Sequence, residues 1–391
     1  MNKPVVALRI VLLVAASLLL GGCSWHMWDF LRDSKTKRPD VLVDFKEEVR
    51  FRKNWSTGVG NGQGKEYNRL KPAISNGAIF AASNNGVVVA VNTKDGRKLW
   101  KQDLDVELSG GVGAAAGLVL VGTENAVIFA LDATTGKTRW KGTVSSEVLS
   151  APATDGKIVV VQSVDGRITG LDAANGKQLW TYEGQVPALS LRGTSSPLIQ
   201  GNTVFSAQAG GSVIALALDN GTLRWEERVT LPKGKFDLDR LIDIDGDLVI
   251  GDNNVLLVPS YQGNFSAIDI GTGQTRWRVK ASSHVGASFG FGNVYVVADD
   301  DKVNAYKIGT DAPVWTNERM KLRKLSPPLG FGNYLAVGDY EGYVHLLAQS
   351  DGRFVGRIKV DGDGVRSRML AEGNTLYVYG NSGDLVSYTV Q

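Results

Sequence analysis

Three stretches of the sequence, each ending in tryptophan, decide the fold: AVNTKDGRKLW (Ala90–Trp100), ALDATTGKTRW (Ala130–Trp140) and GLDAANGKQLW (Gly170–Trp180). They recur with a period of 40 residues. Further copies end at Trp225, Trp277 and Trp315, after steps of 45, 52 and 38 residues. A degenerate copy places Gly356 at the tryptophan position 41 residues later. Repeats of this length predict a β-propeller or a solenoid.

Each repeat also contains two β-type runs that meet at a turn. The runs IVVVQSV (Ile158–Val164) and RITGLD (Arg167–Asp172) flank Asp165-Gly166. Asp-Gly between such runs predicts a hairpin whose two turn residues both take a positive φ. Eight hairpins can be counted, with second strands beginning near Gly86, Asn125, Gly166, Gly211, Gly263, Asp301, Gly342 and Gly383. No long helical period is present, which disfavours a parallel βαβ fold.

The strand that ends in tryptophan follows only seven of the eight hairpins. The eighth hairpin runs to the C-terminus at Gln391, whereas an orphan strand, VRFRKNW (Val49–Trp55), stands at the start of the repeats. Joining the two completes the ring and removes its open edge. We therefore predict an all-β protein: an eight-bladed β-propeller over residues 48–391, with four antiparallel strands per blade and the last blade closed by the N-terminal strand. A solenoid would need polar caps and leaves Trp55 unexplained.

The regular tryptophans could form a binding ladder, but their fixed position in each unit favours blade-to-blade packing, where each ring buries about 150–250 Å². We assign this structural role to one tryptophan per repeat: Trp55, Trp100, Trp140, Trp180, Trp225, Trp277 and Trp315. Gly356 breaks the series, which predicts looser packing of the seventh blade against its neighbour.

The first residues are typical of a secretory signal. Lys3 and Arg9 precede an apolar run that is about half the length needed to cross a bilayer, and Leu20-Gly-Gly-Cys23 follows. This ending resembles the lipobox of bacterial lipoproteins, in which the cysteine is acylated, with palmitate among its chains, and becomes the mature N-terminus. We predict a signal peptide at residues 1–22 and a lipidated, polar tether at residues 23–47. Ser24 resembles the sorting pattern for the Gram-negative outer membrane, facing the periplasm.

Composition excludes several classes of protein. Removal of residues 1–22 leaves 369 residues with 41 Lys and Arg against 40 Asp and Glu. The mature chain is therefore nearly neutral, and its composition does not indicate nucleic-acid binding. Cys23 is the single cysteine, and His26, His284 and His345 form no ligand pattern. The sequence therefore predicts no metal site, no cofactor and no catalytic residues.

The repeats resemble the quinoprotein-type propeller unit, Ala-x-Asp-x-x-Thr-Gly-x-x-x-Trp, over nearly all of residues 49–391. Two other segments resemble the BamB family, lipoproteins of the outer-membrane β-barrel assembly (BAM) machinery: PALSLRGTSSP (Pro187–Pro197) and DRLIDID (Asp239–Asp245). The resemblance implies a non-enzymatic scaffold that binds the periplasmic POTRA (polypeptide-transport-associated) domains of BamA and promotes insertion of β-barrel proteins. The resemblance also implies which residues bind these domains: Leu189, Leu191, Arg192, Asp243 and Asp245.

Other interpretations of these residues remain open. Leu189 and Leu191 lie on one side of an extended segment and could anchor an interface or pack the first strand of the fourth blade. Arg192 could meet a partner or pair internally with Asp243 or Asp245. Two further functions are a pyrroloquinoline-quinone dehydrogenase, disfavoured by the single cysteine and the short chain, and a propeller that binds a small ligand or unfolded clients directly.

Overall fold

The computed structural model describes residues 38–64, 70–184, 193–230 and 242–391. A compact unit spans Asp40–Gln391. Its strands form eight four-stranded antiparallel sheets, which are the blades of a propeller. The predicted eight-bladed, all-β architecture is confirmed.

The ring begins with β1 (Phe51–Gly58), which precedes the first complete blade. Blade 1 contains β2 (Ala73–Ser75), β3 (Ala78–Ala82), β4 (Val87–Asn92) and β5 (Lys98–Asp103). Blade 2 contains β6 (Gly110–Ala115), β7 (Leu118–Gly122), β8 (Val127–Asp132) and β9 (Thr138–Thr143). Blade 3 contains β10 (Ala153–Thr154), β11 (Ile158–Gln162), β12 (Ile168–Asp172) and β13 (Gln178–Tyr182). Blade 4 contains β14 (Leu198–Gln200), β15 (Thr203–Gln208), β16 (Ser212–Ala217) and β17 (Leu223–Arg228).

The second half of the ring repeats this order. Blade 5 contains β18 (Val249–Gly251), a short 3-10 segment (Asp252–Asn254), β19 (Val255–Val258), β20 (Phe265–Asp269) and β21 (Thr275–Val279). Blade 6 contains β22 (Ala287–Gly290), β23 (Asn293–Val297), β24 (Val303–Tyr306) and β25 (Trp315–Asn317). Blade 7 contains β26 (Leu329–Phe331), β27 (Tyr334–Gly338), β28 (Tyr343–Ala348) and β29 (Phe354–Lys359). Blade 8 contains β30 (Leu370–Glu372), β31 (Thr375–Tyr379), β32 (Asp384–Val390) and the N-terminal β1.

Exposure changes across each blade from the axis outward. The first strands, such as β2, lie beside the first strands of neighbouring blades and are half-buried, since they line the axis. The second and third strands, such as β3 and β4, are almost wholly buried because adjacent blades cover both of their faces. This two-sided burial explains why they are continuous apolar runs in the sequence. The fourth strands, such as β5, lie at the periphery and alternate between exposed and half-buried residues.

The N-terminal strand closes the ring, as predicted. β1 pairs antiparallel with β32, from Phe51 opposite Val390 to Gly58 opposite Asp384. Trp55, on this strand, donates its indole N–H to the carbonyl of Thr93 in blade 1 at 3.0 Å. The first and last strands of the chain therefore form one sheet, and that sheet is bonded to the next blade.

The docking tryptophans share one geometry. The indole N–H of Trp140 donates to the carbonyl of Ala173 in the next blade at 2.8 Å, and its ring covers Gly176 at the following turn. All seven indoles donate to a backbone carbonyl of the next blade at 2.8–3.0 Å. Their acceptors, in chain order, are Thr93, Ala133, Ala173, Leu218, Ile270, Thr310 and Gln349.

The structure differs from the expectation of loose packing at Gly356. This residue lies opposite Leu346, at the tryptophan position of blade 7, and the space is filled by Val49 and Phe51. A Cβ atom at Gly356 would lie 2.7 Å from Val49 and 3.2 Å from Phe51. The reason is topological: the fourth strand of blade 8 comes from the other end of the chain, so blade 8 has no turn to receive an indole.

The hairpin turn at Asp165-Gly166 also differs from expectation. Of these two residues only Gly166 has a positive φ, of 80°. Its N–H donates to the carbonyl of Ser163 at 3.0 Å, and the carboxylate of Asp165 accepts from the Ser163 hydroxyl at 2.8 Å. A glycine in the left-handed region therefore follows an ordinary turn, which is the three-residue form of a hairpin connection.

Residues 40–47, which the sequence assigns to the tether, pack on blade 7. Val43 and Phe45 are half-buried against the blade, and the Phe45 ring stacks on Phe354 with centroids 5.4 Å apart. Arg357 donates to the carbonyl of Val43 at 3.0 Å. A polar tether is predicted at residues 23–47, but its last part is rich in apolar side chains, and the compact unit begins at Asp40 rather than at residue 48.

Candidate functional site

The two segments singled out from the sequence lead into the first strands of blades 4 and 5. We call the end of the axis at which the chain enters the first strands the loop end, and the opposite end, where the first strand turns into the second, the hairpin end. Proline immediately precedes the first strand in blades 1, 3, 4 and 7, at Pro72, Pro152, Pro197 and Pro328. Proline suits this position because it lacks an N–H and favours extended chain at the start of an edge strand.

The predicted binding residues divide into two groups. Leu189, Leu191 and Arg192 lie outside the described residues. Asp243 and Asp245 are described, and only 2% and 6% of their surface is exposed. The carboxylate of Asp243 accepts the N–H of Ile244 at 2.9 Å, so it is engaged with its own loop.

The two segments meet at Gly193 and Asp245. A Cβ atom at Gly193 would lie 2.6 Å from the Oδ1 atom of Asp245, so the end of the first segment can approach the second this closely only as glycine. Two residues after Asp245, the carboxylate of Asp247 accepts the N–H of Ser196 at 3.1 Å. The loops of blades 4 and 5 are thus fixed against each other at the axis.

A charged contact crosses the ring at this point. Lys71, which precedes β2 in blade 1, pairs with the carboxylate of Asp247 in blade 5 and lies 2.8 Å from the hydroxyl of Ser196 in blade 4. We call Lys71, Ser196 and Asp247 the axial clamp. In a ring of eight, blades 1 and 5 face each other across the axis. The clamp therefore ties opposite sides of the propeller.

The electrostatics of the clamp keep Asp247 ionised. Burial alone would raise the pKa of Asp247, but the adjacent Lys71 and Arg368 cations outweigh it and hold this pKa well below its usual range. Hydrogen bonds to an ionised carboxylate are stronger than those between neutral groups. Asp247 therefore favours a single arrangement of the loops that it joins.

Sequence reasoning missed the clamp. Asp247 could have been found, because it continues the alternation Asp243-Ile-Asp245-Gly-Asp247, whose residues share one side of an extended segment. Lys71 carries no comparable signal, because its partner lies 176 residues away in sequence.

Two cavities lie on either side of the clamp. The one toward the loop end has a volume of about 40 Å³, enough for two or three waters. It is lined in part by the buried hydroxyls of Ser150 and Thr194, for which the described residues offer no hydrogen-bond partner. The other cavity, of about 460 Å³, extends along the first strands. We call it the axial vestibule.

Within the described parts of the chain, no group of three or more His, Cys, Asp or Glu side chains could hold a metal ion. The same residues contain no helix of the length and apolar character that a membrane span requires.

Comparison with protein families gives a match over residues 84–317 to the family described as outer membrane protein assembly factor BamB. A relative with this name from Pseudomonas aeruginosa is 53% identical over 379 residues, covering 97% of this chain and 98% of the relative. The protein of the same name from Escherichia coli is 33% identical over 381 residues, covering 95% and 96%.

Solved structures agree on the fold. The crystal structure of BamB from Moraxella catarrhalis matches with a TM-score of 0.80 and 29% identity, covering 87% of this chain and all of that one. Quinohemoprotein alcohol dehydrogenase from Comamonas testosteroni matches with a TM-score of 0.71 at 16% identity, covering 92% of this chain and 82% of the enzyme. That second likeness concerns the propeller alone.

Proposed function

The chain belongs to the BamB family of outer membrane protein assembly factors, and from this premise we propose that it is a non-enzymatic scaffold of the BAM complex. It docks on the periplasmic POTRA domains of BamA and promotes folding and insertion of β-barrel proteins at the outer membrane. The docking surface is the loop end of the propeller, around the connections into blades 4 and 5.

One observation carries this proposal: the two family-like segments converge, with Gly193 against Asp245. Segments that begin 52 residues apart in sequence, at Pro187 and Asp239, thus contribute to one surface. The axial clamp holds the second segment from across the ring, so the surface is fixed before a partner arrives. Preorganisation of this kind lowers the ordering cost of binding.

We assign different roles to the five predicted residues. Leu189 and Leu191 supply the apolar anchors and Arg192 the charge that sets the register with the partner. Asp243 and Asp245 are too buried to offer much contact area, so they position the loops instead.

The remaining parts of the chain attach the propeller to the membrane. Residues 1–22 are the signal peptide, and Cys23 carries the lipid in the periplasmic leaflet of the outer membrane. The 17 residues from Cys23 to Pro39 reach at most about 60 Å when extended, and the compact unit begins at Asp40. The propeller can therefore dock on a partner that stands well away from the membrane surface.

Affinity measurement with the isolated POTRA domains of BamA tests the docking surface. The variant Leu189→Ala/Leu191→Ala/Arg192→Ala is expected to bind at least tenfold more weakly, because apolar anchors and interface arginines dominate such interfaces. The matched control is Phe291→Ala/Val314→Ala, which removes side chains that are 67% and 49% exposed at the hairpin end.

Circular dichroism must remain native in both variants. Equal affinity of the triple variant and the wild type contradicts the assigned surface, as does an equal loss in the hairpin-end control.

A further inference from the structure

The axial vestibule has an amphipathic lining. Its wall consists of half-buried or buried apolar side chains from several blades, among them Ile74, Val112, Leu198, Ile250 and Leu370. Its polar side chains are Lys71, Ser196, Asp247 and Arg368, which precede the first strands of blades 1, 4, 5 and 8. Because all four lie at the loop end, the cavity has an apolar wall and a polar floor.

The volume of the vestibule suits a small molecule. At about 460 Å³ it lies within the range of roughly 300–1,000 Å³ that is typical of ligand sites. Such sites are mostly apolar with a few convergent polar groups that fix orientation, and this lining has the same composition.

The floor carries an excess of positive charge. Asp247 is paired with Lys71, so one carboxylate balances one of the two cations. Arg368 donates to the neutral carbonyl of Ala287 at 3.2 Å, which does not neutralise its charge. On the far side of the clamp, Asp245 and Arg366 line the smaller cavity and add one charge of each sign. A ligand with a single negative charge complements this floor.

We propose that the axial vestibule binds one medium-chain aliphatic carboxylate. The carboxylate lies on the floor, where the guanidinium of Arg368 and the hydroxyl of Ser196 donate to it, and the alkyl chain runs along the first strands toward the hairpin end. A guanidinium and a carboxylate form strong, directional pairs. This site adjoins the proposed docking surface, with which it shares the axial clamp, but its argument does not depend on that proposal.

Calorimetric titration with decanoate tests the proposal. The compact unit contains all thirty-two strands that the structure describes, so residues 38–391 are used without the leader. Detergent is left out because it would compete for the site. Decanoate is expected to bind with 1:1 stoichiometry. Octanoate, shorter by two methylenes, is expected to bind about fifteenfold more weakly, at roughly fourfold per methylene.

Two control ligands test whether binding depends on the negative charge of decanoate. Decyltrimethylammonium and decanol have the same alkyl chain with a positive charge and with none, and both are expected to bind at least tenfold more weakly than decanoate. Equal binding of the three amphiphiles overturns the proposal, because the site would then recognise only the alkyl chain and not the negative charge. Absence of decanoate binding overturns it as well.

Variants of the floor and the wall complete the test. Arg368→Gln is expected to weaken decanoate binding at least tenfold, and Arg368→Lys, which retains the charge but loses the planar guanidinium, is expected to weaken it by a smaller factor. Ala73→Phe, on the vestibule wall, is expected to block binding while circular dichroism remains native. An unchanged dissociation constant in Arg368→Gln, or full binding in a folded Ala73→Phe variant, contradicts the site.

Discussion

Gly176 shows how a single residue ties one blade to the next. Its φ of 75° lies in the left-handed region, and the ring of Trp140 covers it so closely that a Cβ atom would lie 2.5 Å away. Glycine is required here for two reasons, one of backbone conformation and one of space. The turn can therefore accept the tryptophan of the preceding blade only when this position has no side chain.

Substitution of turn glycines separates the two effects. Gly176→Ala is expected to lower the free energy of unfolding by about 2–4 kcal/mol, from backbone strain and displacement of Trp140. Gly77→Ala is the matched control, since Gly77 has a φ of 74° and no atom within 4 Å of its Cβ position; it is expected to cost only about 1–2 kcal/mol. Urea unfolding measures both, and equal losses would show that the indole contact contributes nothing.

His345 is a buried neutral histidine. Its Nδ1 atom accepts from Arg357 at 3.1 Å, and Nε2 lies 2.9 Å from the carboxylate of Asp339. Since Nδ1 is an acceptor, the proton lies on Nε2 and is donated to Asp339. Burial lowers the pKa of His345, although Asp339 acts in the opposite direction.

This histidine makes stability depend on pH. In the unfolded chain it takes up a proton near pH 6.5, while in the folded protein it remains neutral to lower pH. The free energy of unfolding is therefore expected to fall as the pH drops below about 6.5, by up to about 1.4 kcal/mol per pH unit. His345→Gln should show a shallower slope in urea unfolding between pH 8 and pH 5. Parallel slopes for the two proteins would rule out His345 as the source.

At the scale of elements, the axial clamp joins three loops. Lys71 belongs to blade 1, Ser196 to blade 4 and Asp247 to blade 5, so its bonds connect three segments that are distant in sequence. The side chains of Lys71 and Asp247 are each 24% exposed. Loss of either partner leaves the other charge largely buried without its nearest opposite charge.

A double-mutant cycle measures the clamp. Lys71→Met and Asp247→Asn are each expected to lower the free energy of unfolding by about 1–3 kcal/mol, and the double variant should lose less than the sum. Each single variant should also bind the BamA POTRA domains more weakly, because the clamp holds the second docking segment. Strict additivity of the two losses would show that the pair does not interact.

The sequence predicts the repeating elements well and the contacts at the axis poorly. The Trp and Gly spacing is local, and so it indicates strands, turns and blade number. The filling of the Gly356 position by Val49 and Phe51, the docking of Val43 and Phe45 on blade 7 and the reach of Lys71 to Asp247 all join residues far apart in sequence. No periodicity encodes such contacts, because each occurs once in the ring.

At the scale of the whole molecule, ring closure supports the proposed docking surface. β1 and β32 join the two ends of the chain in one sheet, which closes the ring of blades. The closed ring then brings the loops of different blades together around one axis, and the clamp fixes those of blades 4 and 5. A scaffold needs this rigidity because its loops must hold their positions before the partner binds.

Site-specific photo-crosslinking in cells tests the docking claim most directly. A photoreactive amino acid is placed at Leu189, in the first docking segment, or at Phe291, at the exposed hairpin end. We predict a covalent adduct with the POTRA domains of BamA from position 189 and none from position 291. Adducts from position 291 alone, or from neither position while the protein still co-purifies with BamA, would contradict docking through the loop end.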